Sequence, residues 1–149
     1  NTRGLTELMA NACSLHEPYG VLVRDCLQQV NKAAEVAMAV AAGIERSRIV
    51  VDPGLGFAKN ISENWELVAR LDELKNLGLP MLVGASRKRF LAAALDEENP
   101  ASVANGRRDV ATAVLTALLL QRGLWGVRVH NVELTADTIA IVKKLKESI

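Results

Sequence analysis

At 149 residues, 50% hydrophobic and 23% charged, the chain has the composition of one soluble globular unit, not of a disordered or fibrous protein. Its formal net charge of +1 gives no general pull toward nucleic acid or membrane surfaces, so neither is expected as a partner and any basic site must be local. The alanine-rich stretch Ala33 to Ile44 is too short to span a bilayer, and Glu35 interrupts it. Cys13 and Cys26 lack metal-ligand or redox spacing. They read as idle or buried thiols of a cytoplasmic protein.

In chain order the pattern runs helix, strand, helix, strand, helix, strand, helix. Val23, Leu27, Val30, Ala34, Ala37 and Ala41 form a helical stripe over Val21 to Ala42, closed by Gly43. Arg48 to Val51 is a β-branched run ending at Asp52-Pro53-Gly54. Ser62 is placed to cap a helix reaching Leu77, with Trp65, Val68, Leu71 and Leu74 inward and Gly78 beyond its end. Pro80 to Val83 forms the next strand, and Gly84 opens its loop. Arg87 to Leu95 reads as a short helical turn, and Asp96 to Asn105 as a polar surface loop.

Asp109 to Gln121 reads as a helix apolar nearly all round, so both the sheet and a second partner are needed to cover it. Gly126 to Val129 is the third strand, and Leu134 to Ile149 an amphipathic helix. Lys143, Lys144 and Lys146 sit near its end, where the helix dipole favours cations. No linker is visible inside.

Strands alternating with helices imply an α/β fold with a parallel sheet, doubly wound or closed as a barrel. Three strands close neither, and a (β/α)8 barrel usually takes about 250 residues. The chain therefore reads as the C-terminal part of something larger.

Three motifs lie where apolar strands run into polar residues: Asp52-Pro53-Gly54-Leu55-Gly56-Phe57, Gly84-Ala85-Ser86-Arg87-Lys88 and Arg128-Val129-His130. Strand C-terminal ends are where α/β folds place their chemistry, so a carboxylate, cations and a histidine are expected on one rim. Taken alone, Asp-Pro-Gly is also ordinary turn chemistry. Arg128 and His130, two residues apart on a strand, should share a side.

The three motifs, with Arg108-Asp109-Val110-Ala111-Thr112 between them, resemble those of dihydropteroate synthase in order and separation. Asn1-Thr2-Arg3-Gly4 is similar to the tail of that family's His-x-Arg-Gly element. The resemblance covers essentially residues 1–149 as one unit, the C-terminal half of a (β/α)8 TIM barrel with three parallel strands. It implies a transferase of folate biosynthesis that joins p-aminobenzoate to 6-hydroxymethyl-7,8-dihydropterin diphosphate, releasing diphosphate.

The resemblance further implies that Asp52 binds the pterin donors, while Lys88 binds the pterin carbonyl and lies against the aminobenzoate ring. Phe57 is either a wall of the aminobenzoate pocket or a core aromatic, and Ser86 a contact to the aminobenzoate carboxylate. Arg87 is either a ligand contact or an ion pair holding its loop. Arg128 flanks the pterin and, with His130, holds the diphosphate, so Lys88, Arg128 and His130 carry the catalytic roles. Asn131 assists at the anion site, Lys59 is a solvated or supporting charge, and His16 lies at the surface.

Ala58 and Ala111 stand where the family often has glycine. The family's mechanism is dissociative: the methylene–oxygen bond breaks first and the aminobenzoate nitrogen then attacks. Magnesium is implied with the diphosphate, held mostly by residues outside this chain, and no metal ligand is assigned here. A homodimer through the late helices is also implied. Two alternatives are a methyltransferase-type pterin-binding barrel and a non-catalytic half-barrel that binds or scaffolds.

Overall fold

The computed structural model describes residues 32–149. Cys13, His16, Cys26, Asn1 to Gly4 and the start of the helix expected from Val21 lie outside the described residues. Residues 32–41 are helical (α1), and Gly43 ends the helix at φ +90°. The described residues up to Ile49 belong to one compact unit and Val50–Ile149 to another. All three motifs lie in the second unit.

The first strand is shorter than its β-branched run suggests. Arg46–Arg48 winds into a 3-10 turn, with the Ile49 N–H donating to the Arg46 carbonyl, so only Val51 reaches the ladder. Val51 pairs in parallel with Met81: its N–H donates to the Pro80 carbonyl and its carbonyl accepts from the Leu82 N–H. Strand β1 (Leu82–Val83) then pairs in parallel with β2 (Gly126–Val127), Leu82 opposite Gly126 and Val83 opposite Val127. Three parallel tracks are thus present, each shorter than expected.

Between the first two tracks, α2 (Ile61–Ala69) starts at Asn60, not at Ser62. The Asn60 side chain accepts from the Glu63 N–H while the Glu63 carboxylate accepts from the Asn60 N–H, a reciprocal box that satisfies two otherwise orphaned donors. The helix does not run unbroken to Leu77. It breaks at Arg70, resumes as α3 (Leu71–Leu74) and tightens into a 3-10 turn, Lys75–Leu77, that Gly78 ends at φ +63°.

After β1 comes α4 (Arg89–Leu95), and a 3-10 turn at Pro100–Ser102 interrupts the polar loop. Helix α5 (Asn105–Gln121) begins four residues before Asp109, and α6 (Val132–Glu147) follows β2 and packs along α5. The core joins Leu55, Val68, Leu71, Leu74, Val83, Phe90, Leu115 and Leu119, with Trp65 set edge-on to Phe90 at 5.2 Å between ring centroids.

Helix α5 is two-sided, which corrects the expectation of apolarity all round. Its buried face carries Asp109, Thr112 and Thr116 beside Ala113, Leu115 and Leu119. Leu119 and Leu115 are therefore core residues, and Leu119 is 3% exposed. The outward stripe is Val110, Val114 and Leu118, each 55–56% exposed.

Candidate functional site

Everything that follows a strand here turns toward the same few residues. Past Val51, Asp52 uses its two carboxylate oxygens differently. Oδ1 accepts from the Gly54 N–H at 2.8 Å, closing the turn, while Oδ2 lies 3.3 Å from Arg128 Nη2. Turn chemistry and a charged role therefore coexist in one side chain. Gly54 and Gly56 both sit in the left-handed region, at φ +71° and +73°, which glycine adopts without a Cβ clash. Ala58 adopts φ +48°, so an L-residue is held where glycine would be unstrained.

Asn64, almost completely buried on α2, latches this loop. Its Oδ1 accepts from the Gly56 N–H at 2.6 Å and its Nδ2 donates to the Asn60 and Lys59 carbonyls. Lys59 Nζ donates to the carbonyls of Gly54 and Phe57, so this lysine supports the loop. Phe57 is 59% exposed, hence no core aromatic, and Lys88 Nζ stands 3.9 Å from its ring centroid. The Lys88 stem lies so close over Gly56 that a Cβ there would come 2.6 Å from Lys88 Cδ.

Past Val83, Gly84 does the same for Arg128. A Cβ at Gly84 would overlap Arg128 Nη2 and stand 2.8 Å from Cζ. The buried Ser86 hydroxyl accepts from the His130 N–H at 3.1 Å and pairs with His130 Nδ1 at 2.9 Å. One hydroxyl hydrogen cannot serve two acceptors. Ser86 is free to donate to a ligand only when Nδ1 carries the proton of that contact.

Arg87, at φ +57°, turns its guanidinium into a bidentate pair with Asp109: Nε to Oδ1 at 2.7 Å and Nη2 to Oδ2 at 2.8 Å. Hydrogen bonding from Arg87 is the main reason the Asp109 carboxyl is held below the usual carboxylate range, and the same bonds raise Arg87 above its own. The ion-pair reading of Arg87 is thus the one its geometry expresses. Asn131 caps α6, its side chain accepting from the Leu134 N–H, and it reaches Asp109 Oδ2 at 3.5 Å.

The structure therefore brings together Asp52 with Arg128, Lys88 with Phe57, and Ser86 with His130. One residue past β2 the Arg128 N–H still donates to the Val83 carbonyl at 3.0 Å, so strand pairing places Arg128, while the two Ser86 contacts place His130. The sequence pattern singled out no role for Asn64, and none for Asp109 beyond its place in the Arg108 to Thr112 motif. Each is a polar residue inside the buried stripe of its helix, and that mismatch was the available signal. Among the described residues no three His, Cys, Asp or Glu side chains gather as a metal site.

Residues 13–130 match the family model for pterin binding enzymes. The chain is 46% identical over 121 residues to dihydropteroate synthase of Mycobacterium leprae, covering 80% of this chain and 43% of that protein. It is 39% identical over 129 residues to the Streptococcus pyogenes enzyme, covering 87% of this chain and 46% of the other. Among solved structures, it superimposes on Xanthomonas albilineans dihydropteroate synthase in complex with 7,8-dihydropteroate at a TM-score of 0.73 and 30% identity, over 81% of this chain and 44% of that one. A dihydropteroate synthetase structure with product gives 0.75 at 31% identity, over 90% and 48%. The chain spans less than half the length of the curated relatives it matches.

Proposed function

Since the chain belongs to the pterin-binding enzyme family, of whose (β/α)8 barrel it carries the C-terminal half, we propose that the full-length protein is a dihydropteroate synthase. It condenses p-aminobenzoate with 6-hydroxymethyl-7,8-dihydropterin diphosphate. The observation that carries this reading is the rim itself: Asp52 paired with Arg128, Lys88 over Phe57 and Ser86 with His130, all just beyond three consecutive parallel tracks. The family match from residue 13 to 130 runs through the boundary between the two compact units, which favours reading 1–149 as one half-barrel. Relatives that all carry the synthase name leave the methyltransferase and scaffold alternatives without support.

Each group then has a task. Asp52 accepts from the pterin amino and ring N–H groups, a charge-assisted recognition that a neutral acceptor matches poorly. Lys88 donates to the pterin carbonyl, and with Phe57 it forms the wall against which the aminobenzoate ring lies. Arg128, its guanidinium lying against Gly84, has a planar face to offer the pterin and a fork of donors for phosphate oxygens. His130 donates through Nε2 to the leaving diphosphate. When its Nδ1 is protonated, the Ser86 hydroxyl is released to donate to the aminobenzoate carboxylate.

As the methylene–oxygen bond breaks, negative charge grows on diphosphate, and Arg128 with His130 stabilises it where it develops. Attack by the amine then needs only positioning. Magnesium fits no cage among the described residues, so any such ion would be held by diphosphate oxygens and by residues outside them. A cytoplasmic site of action and a homodimer through the late helices complete the proposal. No described helix is long and apolar enough to cross a membrane.

The test is product formation by the full-length protein from the two substrates, followed by Asp52→Asn. The amide would set a donor against donors, so pterin affinity by calorimetry is expected to fall by about 2 kcal/mol, roughly thirtyfold. Unchanged affinity would remove Asp52 from the site.

A further inference from the structure

We infer that Asp109 is a positioning residue: from inside α5 its carboxylate sets the Ser86–Lys88 loop through Arg87 and ties that loop to the His130 segment through Asn131. The inference rests on the proposed synthase reading for its kinetic consequences, and on the loop geometry alone for its structural ones.

The starting point is the backbone. A non-glycine residue holds φ near +57° only when its surroundings over-determine it. For Arg87 those surroundings come from one stretch of α5. The Thr112 hydroxyl accepts from the Arg87 N–H at 3.3 Å, Arg108 Nη1 donates to the Arg87 carbonyl at 3.5 Å, and Asp109 takes the guanidinium in two short bonds.

The two backbone contacts are long and therefore weak; the bidentate pair is short and charge-assisted, so it dominates. Asp109 is 6% exposed and keeps its charge below the usual carboxylate range, chiefly through Arg87, so the clamp persists across neutral pH. On either side of the clamped torsion stand Ser86 and Lys88, which meet His130 and Phe57 respectively. Releasing Arg87 lets that torsion relax and swings both neighbours. The same carboxylate oxygen that binds Arg87 Nη2 faces Asn131 Nδ2, one residue beyond His130.

The experiment is Asp109→Asn in the full-length protein, with Arg87→Lys as an independent second variant. Asparagine keeps the shape but opposes one guanidinium donor with its own amide donor. Lysine keeps the charge but loses the fork. Both variants should raise KM for aminobenzoate about tenfold and KM for the pterin diphosphate by a smaller factor, about threefold, because Lys88 swings with the loop while Asp52 is untouched. Hydrogen exchange at the backbone amides of Arg87, Lys88 and His130 should quicken in both.

A fall in kcat with neither KM moved, or unchanged exchange at these amides, overturns the inference. Should Asp109→Asn fail to melt cooperatively, Arg87→Lys alone decides by the same two readouts. Should the wild-type protein form no dihydropteroate, the synthase reading falls. Amide exchange then decides the positioning role by itself, faster exchange supporting it and unchanged exchange removing it.

Discussion

Gly84 illustrates how single residues set this rim. Its φ needs no glycine, so the requirement is spatial: the Arg128 guanidinium occupies the place of the missing Cβ. Gly84→Ala meets the far end of a flexible side chain, which can swing aside at little cost in stability. The pair it breaks, Arg128 with Asp52, is partly exposed and worth at most about 1 kcal/mol. Binding is different, because Arg128 would leave the position from which it reaches Asp52. We expect Gly84→Ala to melt within a few degrees of wild type and to bind the pterin diphosphate about tenfold more weakly, a loss of about 1.4 kcal/mol by calorimetry. Equal affinity would mean that Arg128 does not work from where it lies. Gly56 combines both demands, a left-handed φ and the Lys88 stem overhead, so a substitution there confounds strain with displacement.

Helix ends are where local chemistry and tertiary structure meet in this chain. Asn60 and Glu63 form the box that starts α2, and Ser62 joins it only by donating to Asn60 Oδ1. Asn60→Ala should therefore cost about 1 kcal/mol, whereas Ser62→Ala should cost much less. Denaturant melts of the two variants check this, and the opposite order would return the cap to Ser62. The other end of α2 is set from a distance. Arg122, at the end of α5, donates to the Val68 and Ala69 carbonyls and pairs with Asp72, satisfying C-terminal acceptors just where the helix breaks. That is why a sequence pattern continuous to Leu77 folds as three short pieces. In the C-terminal helix Lys144 and Lys146 lie in the last turn, where the dipole favours cations, and Lys146 Nζ also serves another helix end by donating to the Leu120 carbonyl of α5.

At the scale of the molecule, the outward stripe of α5 is an apolar face without cover among the described residues. Val110, Val114 and Leu118 border an apolar groove with Trp65, Leu91 and Leu95. A contiguous apolar face of this kind is where a homodimer through the late helices would form. The substitution that tests it is Leu118→Glu, because Leu119 faces the core and a glutamate there would bury a charge and unfold the protein. Wild type should sediment as a dimer at micromolar concentration and Leu118→Glu as a monomer that still melts cooperatively, at a lower temperature because the stabilisation from association is lost. A monomeric wild type would remove the dimer.

What the amino-acid order determined by itself was local and chemical. Alternation of apolar runs with helical stripes implied parallel βα units, and polar residues at strand ends implied the rim. Gly54 was legible as a turn position, since Asp-Pro-Gly is turn chemistry and its φ requirement is a property of one residue. Strand lengths, the break after Ala69 and the inward direction of Leu119 were not legible. Each depends on which partner arrives from elsewhere in the chain. Asp109 and Asn64 make the same point from the other side. A buried carboxylate or amide is costly until Arg87 or the Gly56 N–H meets it, and that meeting, across 22 and 8 residues of chain, exists only in the tertiary structure.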